Sequence, residues 1–318
     1  MDEAELLSQY LGTKVELGEV IQSLWSGYGS IRRVRLDGKP AILKLIDVSR
    51  PRENLRGWGS EVSHERKLKS YQVERHFYEQ FSKQCGSECR VPKLLSSVDL
   101  QESQQIVLVM EDLDATGYPI RKSNVDAKDF GACLRWLAEF HALFLGTEPK
   151  GLWDTGTYWH LATRPEELKA MPDGMLKRNA ILIDRRLESA KYKTLVHGDA
   201  KLANFCFGET GTVAAVDFQY VGSGCGMKDV AYFISSCFDE HEAESREEEV
   251  LNRYFSLLAE SIERQNKVVD VGELIHEWRE LFVFAWADFV RFLAGWSPGH
   301  WKLNAYSQLL AEQAIRQL

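Results

Sequence analysis

His197-Gly198-Asp199-Ala200-Lys201-Leu202-Ala203-Asn204, followed thirteen residues after Asn204 by Asp217-Phe218-Gln219, is the stretch from which the fold is read. An Asp, an Asn five residues later and a second Asp at the end of a following hairpin are the set that metal-assisted phosphoryl transfer requires. Asp199 can orient an attacking hydroxyl and accept its proton. The amide oxygen of Asn204 and the carboxylate of Asp217 are hard oxygen ligands of the kind Mg²⁺ takes in small number, with phosphates and water completing its octahedron. Around them, Thr194 to His197, Phe205 to Phe207 and Val213 to Phe218 read as short strands, the only ones in the second half of the chain.

Towards the N-terminus the pattern changes. After a polar helical stretch come three strand-like runs, Glu19 to Trp25, Ile31 to Leu36 and Ala41 to Ile46. Asp37-Gly38 supplies the positive backbone φ of a tight hairpin turn, so the sheet is antiparallel. A polar loop from Arg50 to Gly59 precedes a helical pattern from Ser63 to Lys83 carrying Leu68, Tyr71, Phe77, Tyr78 and Phe81. Two further runs, Val91 to Val98 and Gln105 to Glu111, bring the sheet to five strands. Beyond Asp112 helical periodicity dominates: Asp126 to Leu145, Asp173 to Ala190, and several segments after Asp229. The expected fold is therefore α+β and two-lobed, with residues 1–112 as an N-terminal lobe of five antiparallel strands plus a helix, and residues 113–318 as a mostly helical lobe.

The segment from His197 to Asn204, with its late Asp, resembles the H-G-D-x-x-x-x-N signature of the aminoglycoside phosphotransferase, choline kinase and ecdysteroid-kinase-like superfamily, which has a protein-kinase-like fold. The resemblance spans about residues 20 to 240. It implies that Asp199 is the catalytic base and that Asn204 and Asp217 hold Mg²⁺. Asp217-Phe218-Gln219 looks more like ecdysteroid-kinase-like members than like protein kinases. Lys201 falls where a cation offsets charge on the transferring phosphoryl group. The resemblance further implies that Gly27-Tyr28-Gly29-Ser30 is a short glycine loop whose backbone approaches the phosphates. Lys44, on the third strand, takes the place of the phosphate-binding lysine, and Glu74 that of its ion-pair partner, with Glu65 and Glu79 as alternatives. Glu111 and Leu113 sit at an interlobe hinge whose backbone meets adenine. ATP and Mg²⁺ are the expected cofactors, and a hydroxyl of a small molecule is the expected acceptor.

Bulk properties agree with this reading. A chain of 318 residues with 44% hydrophobic content can bury a full core. The longest apolar runs fall far short of a membrane span, and the acidic start, Met1-Asp2-Glu3-Ala4-Glu5, is unlike a secretory leader, so a cytoplasmic chain is expected. Six cysteines without Cys-x-x-Cys spacing suggest neither a disulfide framework nor a zinc site. With a net charge of −8 and no basic run, nucleic acid is not an expected partner.

Several residues carry competing readings. His197 reads as a structural histidine, Asp229 as a brace for the catalytic loop or a helix cap, and the stripe Trp278, Phe282, Trp286, Phe289 as core. Trp153, Tyr158 and Trp159 are candidates for a substrate pocket. A nucleotide-binding pseudoenzyme is the alternative function, set against the complete base and metal set. A protein kinase would be expected to carry His-Arg-Asp and an Ala-Pro-Glu marker. A metal-dependent hydrolase would leave Lys44 and the glycine turn without a purpose. The acceptor stays open between a cationic compound, which acidic character would suit, and an apolar alcohol, which the tryptophan-rich second half would suit; the oligomeric state is not legible.

Overall fold

The computed structural model describes residues 3–24, 27–49, 61–100 and 104–318. The loop expected from Arg50 to Gly59, the first two residues and Trp25 lie outside the described residues. Helix α1 (Glu3–Leu11) leads into β1 (Val15–Ser23), β2 (Gly29–Leu36) and β3 (Lys39–Asp47). The β2–β3 turn has Asp37 at φ 47° and Gly38 at φ 80°, the doubly left-handed geometry of a type I′ hairpin. Strands β4 (Leu94–Leu100) and β5 (Gln105–Glu111) complete one antiparallel sheet in the order β1-β2-β3-β5-β4. β1 begins ahead of the expected strand, and its register with β2 shifts twice, between Leu17 and Gln22.

The period of two along β3 decides which side chains face which layer. Ala41 and Leu43 pack with Leu7, Val15, Val34, Val107 and Val109 on one side. Lys44 and Ile46 point the other way, where Ile46 joins Leu24, Tyr28 and Tyr71 beneath helix α2 (Glu61–His76). After α2 the chain passes into a π-type turn, Phe77–Phe81, which drives Phe77, Tyr78 and Phe81 into the main core.

That core belongs to the helical part: α3 (Ala127–Leu143), α4 (Pro165–Ala170), α5 (Met175–Glu188), α6 (Met227–Cys237), α7 (Glu240–Arg264), α8 (Val271–Trp296) and α9 (Ala305–Arg316). Asp126, Asp239, Asp270 and Asn304 cap α3, α7, α8 and α9 by accepting a backbone N–H three residues on. Trp278, Phe282, Trp286 and Phe289 of α8 are all buried, as their helical spacing predicts. Four short strands lie between α5 and α6: β6 (Thr194–Val196), β7 (Phe205–Phe207), β8 (Val213–Ala215) and β9 (Gly222–Gly224). β9 has no strand signature in the sequence. It pairs with β6, and on its other side Gly222 lets the backbone of Trp153 approach so closely that a Cβ would lie 2.2 Å from its carbonyl oxygen. No helix among the described residues is long and apolar enough to cross a membrane, and all six cysteines are free thiols.

Candidate active site

The loop from His197 to Asn204 is held from below. Asp229, fully buried in the first turn of α6, accepts the backbone N–H of His197 at 2.6 Å and of Gly198 at 2.9 Å, and its Oδ2 lies 3.1 Å from Nε2 of His141. It is the brace rather than a cap. His197 is structural too: its Nε2 donates to the Val216 carbonyl at 3.0 Å and its Nδ1 accepts the Asp199 N–H at 3.2 Å, an arrangement that fixes one neutral tautomer. Gly198 sits at φ 80°, and a Cβ there would lie 2.1 Å from the Tyr220 carbonyl oxygen, so glycine is required twice over.

These constraints aim Asp199 into a cavity of about 740 Å³ between the sheet and the helical part. The Oδ2 of Asp199 accepts from Lys201 Nζ and from Asn204 Nδ2, each at 3.0 Å, while Oδ1 is buried without a partner among the described residues. Because the amide nitrogen of Asn204 is committed to Asp199, its oxygen is the atom left to act as a ligand. Asp217 stands in the left-handed region at φ 71°, and its Oδ1 is likewise buried and unpartnered. Burial pushes the Asp199 carboxyl up, against the pull of Lys201. Burial also opposes ionisation of Asp217, but Lys44, Lys67 and Lys201 outweigh it and hold that carboxyl below its ordinary range. Two buried carboxylate oxygens without partners, beside an amide oxygen and several cations, form a donor set that fits a hard divalent ion and an anionic ligand.

Across the cavity, Lys44 Nζ meets Glu74 Oε2 at 2.6 Å, both side chains only 2% exposed. The other two candidates are elsewhere: Glu79 accepts from Arg75 and Ser97, and Glu65 is exposed. Glu111 and Leu113 line the cavity. The Glu111 carboxylate is held by Arg90 and by the Lys93 N–H, and the Leu113 carbonyl by Thr116 and Tyr118. The glycine turn departs from expectation, since Leu24, Tyr28 and Ile31 line the cavity while Gly27, Gly29 and Ser30 do not. Within the hairpin the Gly27 N–H donates to the Leu24 carbonyl, and Ser30 pairs in the sheet opposite Leu45. Gly29 lies so close to β3 that a Cβ would sit 2.0 Å from the Leu45 carbonyl oxygen. Tyr28 fills the space beneath, its hydroxyl 2.7 Å from His64 Nδ1.

Of the three aromatic pocket candidates only Tyr158 lines the cavity. Trp153 and Trp159 are buried, Trp153 donating to the Gln219 carbonyl. Sequence reasoning missed Arg66, Arg164, Tyr232, Phe292, Trp296, His300 and Lys302, which also line it. No local signature marks them, because packing gathers them from separate segments of the chain.

The sequence pattern of the phosphotransferase enzyme family matches residues 20–263. No curated protein sequence matches the chain. Among solved structures, a thermostable mutant of aminoglycoside phosphotransferase APH(4)-Ia in its apo form is similar at 14% identity and a TM-score of 0.52, over 99% of this chain and 98% of that one. Amicoumacin kinase hAmiN in complex with AMP-PNP, Ca²⁺ and Ami is similar at 14% identity and a TM-score of 0.54, over 100% and 93%. A ternary complex of the thermostable APH(4)-Ia enzyme with AMP-PNP and hygromycin B gives 14% and 0.52, over 99% and 98%. At such identities the likeness carries the fold, which is kinase-like and two-lobed.

Proposed function

We propose, since this chain belongs to the phosphotransferase enzyme family, that it moves the γ-phosphoryl group of ATP to a hydroxyl of a small molecule. Residues 1–112 would hold the nucleotide and residues 113–318 the base and the acceptor. The observation that carries the reading is the pair Asp199 and Asp217, each with a buried carboxylate oxygen unpartnered among the described residues, on one cavity that Lys44 and Glu74 also line. A buried carboxylate oxygen left without a partner is costly unless a ligand completes it.

Asp199 accepts the proton of the acceptor hydroxyl through its free Oδ1 as the oxygen attacks the γ-phosphorus in line, and ADP leaves. Asn204 orients that carboxylate through its amide nitrogen. Lys201, already 3.0 Å from Asp199, favours the ionised base despite its burial and offsets charge on the equatorial phosphoryl oxygens. Lys44, fixed by Glu74, binds phosphate oxygens; the backbone around Glu111 and Leu113 receives the adenine; and the turn of Gly27, Gly29 and Ser30 places Tyr28 over the cavity. Asp217 and the oxygen of Asn204 would hold Mg²⁺, which when bound neutralises charge on the β- and γ-phosphates. Closure of this set at hydrogen-bond distances is what makes the transfer effectively intramolecular.

Titration with AMP-PNP tests the nucleotide half of the reading. Binding is expected to strengthen with Mg²⁺ in the wild type, to lose that dependence in Asp217→Asn, and to weaken in Lys44→Met. Absence of nucleotide binding in the folded wild type would remove the proposal.

A further inference from the structure

The cavity is not uniform in charge, and the difference falls along its two walls. Glu74, Glu111, Asp112 and Asp114 line its sheet and hinge side, and each is already paired: Glu74 with Lys44, Glu111 with Arg90, Asp112 and Asp114 with Arg33. Beside Asp199 the other wall is aromatic and cationic. Tyr158 stands edge-on to Phe292 at 5.3 Å and to Tyr232 at 5.6 Å, and Tyr232 to Phe289 at 4.9 Å. Lys302 lies over the rings of Tyr232 and Phe289 at 5.2 and 5.5 Å, and Arg164 over that of Phe292 at 4.9 Å.

Two cations that line the cavity, Lys302 and Arg66, have only neutral hydrogen-bond partners among the described residues. Lys302 donates to Ser235 Oγ at 3.3 Å; Arg66 donates to the Thr163 carbonyl at 2.7 Å and to Ser63 Oγ at 3.1 Å. Burial pushes both groups down, Lys302 to about 8. Glu167 and Glu166 act on Arg66, and Asp199 on Lys302, only from a distance, and Glu167 is committed to Arg164 at 2.9 Å. Arg66 is buried and Lys302 half-buried, neither with a carboxylate at hydrogen-bond distance, a standing cost that an anionic ligand removes. Lys302 and Arg164 stand over these rings, so an ammonium group drawn to their faces would meet a cation of the protein. Apart from Asp199 and Asp217, every carboxylate among the described residues that lines the cavity belongs to the sheet and hinge side.

We infer that the acceptor is an apolar alcohol carrying an anionic group, a hydroxy acid in the broad sense, whose body lies along the wall lined by Tyr158, Tyr232, Phe289 and Phe292 and whose anion meets Lys302. The inference rests on the phosphotransfer reading for the fate of the hydroxyl, and on the wall alone for the charge. It selects between the cationic and the apolar acceptors that composition leaves open. Specificity here is a matter of repulsion as well as attraction, because a cationic acceptor would meet Lys302 with like charge.

Three matched probes test it: 4′-(hydroxymethyl)biphenyl-4-carboxylate, its carboxamide, and the analogue with an aminomethyl group in place of the carboxylate. Equilibrium binding to the whole chain is measured with and without AMP-PNP and Mg²⁺, and transfer is measured with ATP. The carboxylate is expected to bind at least about tenfold more tightly than the amide, and the ammonium analogue most weakly. In Lys302→Met the ratio of carboxylate to amide should fall towards one, and Lys302→Arg should restore it, which separates the charge effect from a folding defect. Equal binding of all three, tighter binding of the ammonium analogue, or a Lys302→Met effect confined to the KM for ATP would overturn the inference. Preferential binding of the carboxylate with no transfer to any alcohol would sustain the charge assignment and count against the phosphotransfer reading instead.

Discussion

The rings of Phe77 and Phe218 stack with centroids 4.0 Å apart and planes 13° from parallel. One residue lies just past α2, three positions after Glu74; the other follows Asp217 directly. The stack therefore ties the Lys44–Glu74 pair to the carboxylate across the cavity through two buried rings. Phe77→Ala is expected to cost about 3–5 kcal/mol of stability, as for a large ring removed from a packed core. Its activity should fall further than at a core site remote from the cavity, such as Phe255→Ala. Urea unfolding and turnover at a temperature where both variants are folded check this, and equal activity in the two would break the link.

Lys44 and Glu74 form a buried pair, so removing one partner leaves the other unpaired. Glu74→Ala is expected to destabilise by about 3–5 kcal/mol and to weaken nucleotide binding, while Lys44→Met/Glu74→Leu recovers stability without recovering nucleotide binding. Calorimetric unfolding and nucleotide titration of the two variants separate the pair's structural contribution from its contribution to the site.

Gly198→Ala places a Cβ against the Tyr220 carbonyl at a backbone φ of 80°. It should abolish activity more completely than Asp229→Asn. The latter keeps the side chain's shape and one carbonyl oxygen, so one of the two loop N–H bonds persists. Circular dichroism with turnover distinguishes loss of the loop from loss of the fold.

Away from the cavity, His160 Nε2 lies 3.6 Å from Asp184 and 3.7 Å from Glu188. Burial pushes His160 down to about 4 and Asp184 up to about 6. Between those values the folded chain carries a proton on Asp184 and none on His160, whereas the unfolded chain does the reverse. The proton counts match, and the two effects cancel in the pH dependence of stability. Asp184→Asn leaves His160, whose folded value is depressed, so stability should be lost as pH falls from 6.5 towards 4. His160→Gln leaves Asp184, whose folded value is raised, so stability should be lost as pH rises from 3.8 through 6. Denaturation midpoints across that range, opposite in slope for the two variants, check the sign.

The sheet and the loop from His197 to Asn204 are legible in the sequence because their signals are local. Asp37-Gly38 specifies a turn, alternation places Lys44 on one face, and His197 to Asn204 is a contiguous motif. Glu74 is legible only as one of three glutamates, and tertiary packing chooses it. The strand Gly222–Gly224 is hidden because glycine carries no strand propensity, and its pairing with Thr194–Val196 is set by tertiary packing. Trp153 and Trp159 escape the sequence reading for the converse reason: an aromatic side chain in an irregular segment can face a pocket or a core, and here the core takes both. Arg66, Arg164 and Lys302 come from segments far apart in the chain, so no spacing rule brings them to one cavity.

The central claim is that Asp199 is the base of a transfer from ATP to an alcohol, and product formation by wild type and Asp199→Asn tests it most directly. Mass spectrometry of a hydroxyl-bearing acceptor incubated with ATP and Mg²⁺ should show one added phosphoryl group with the wild type. Asp199→Asn, with AMP-PNP affinity retained, should lower the rate by about 10²–10⁴-fold. Undiminished transfer by Asp199→Asn, or ATP binding by the wild type with no transfer to any hydroxyl, would contradict the account.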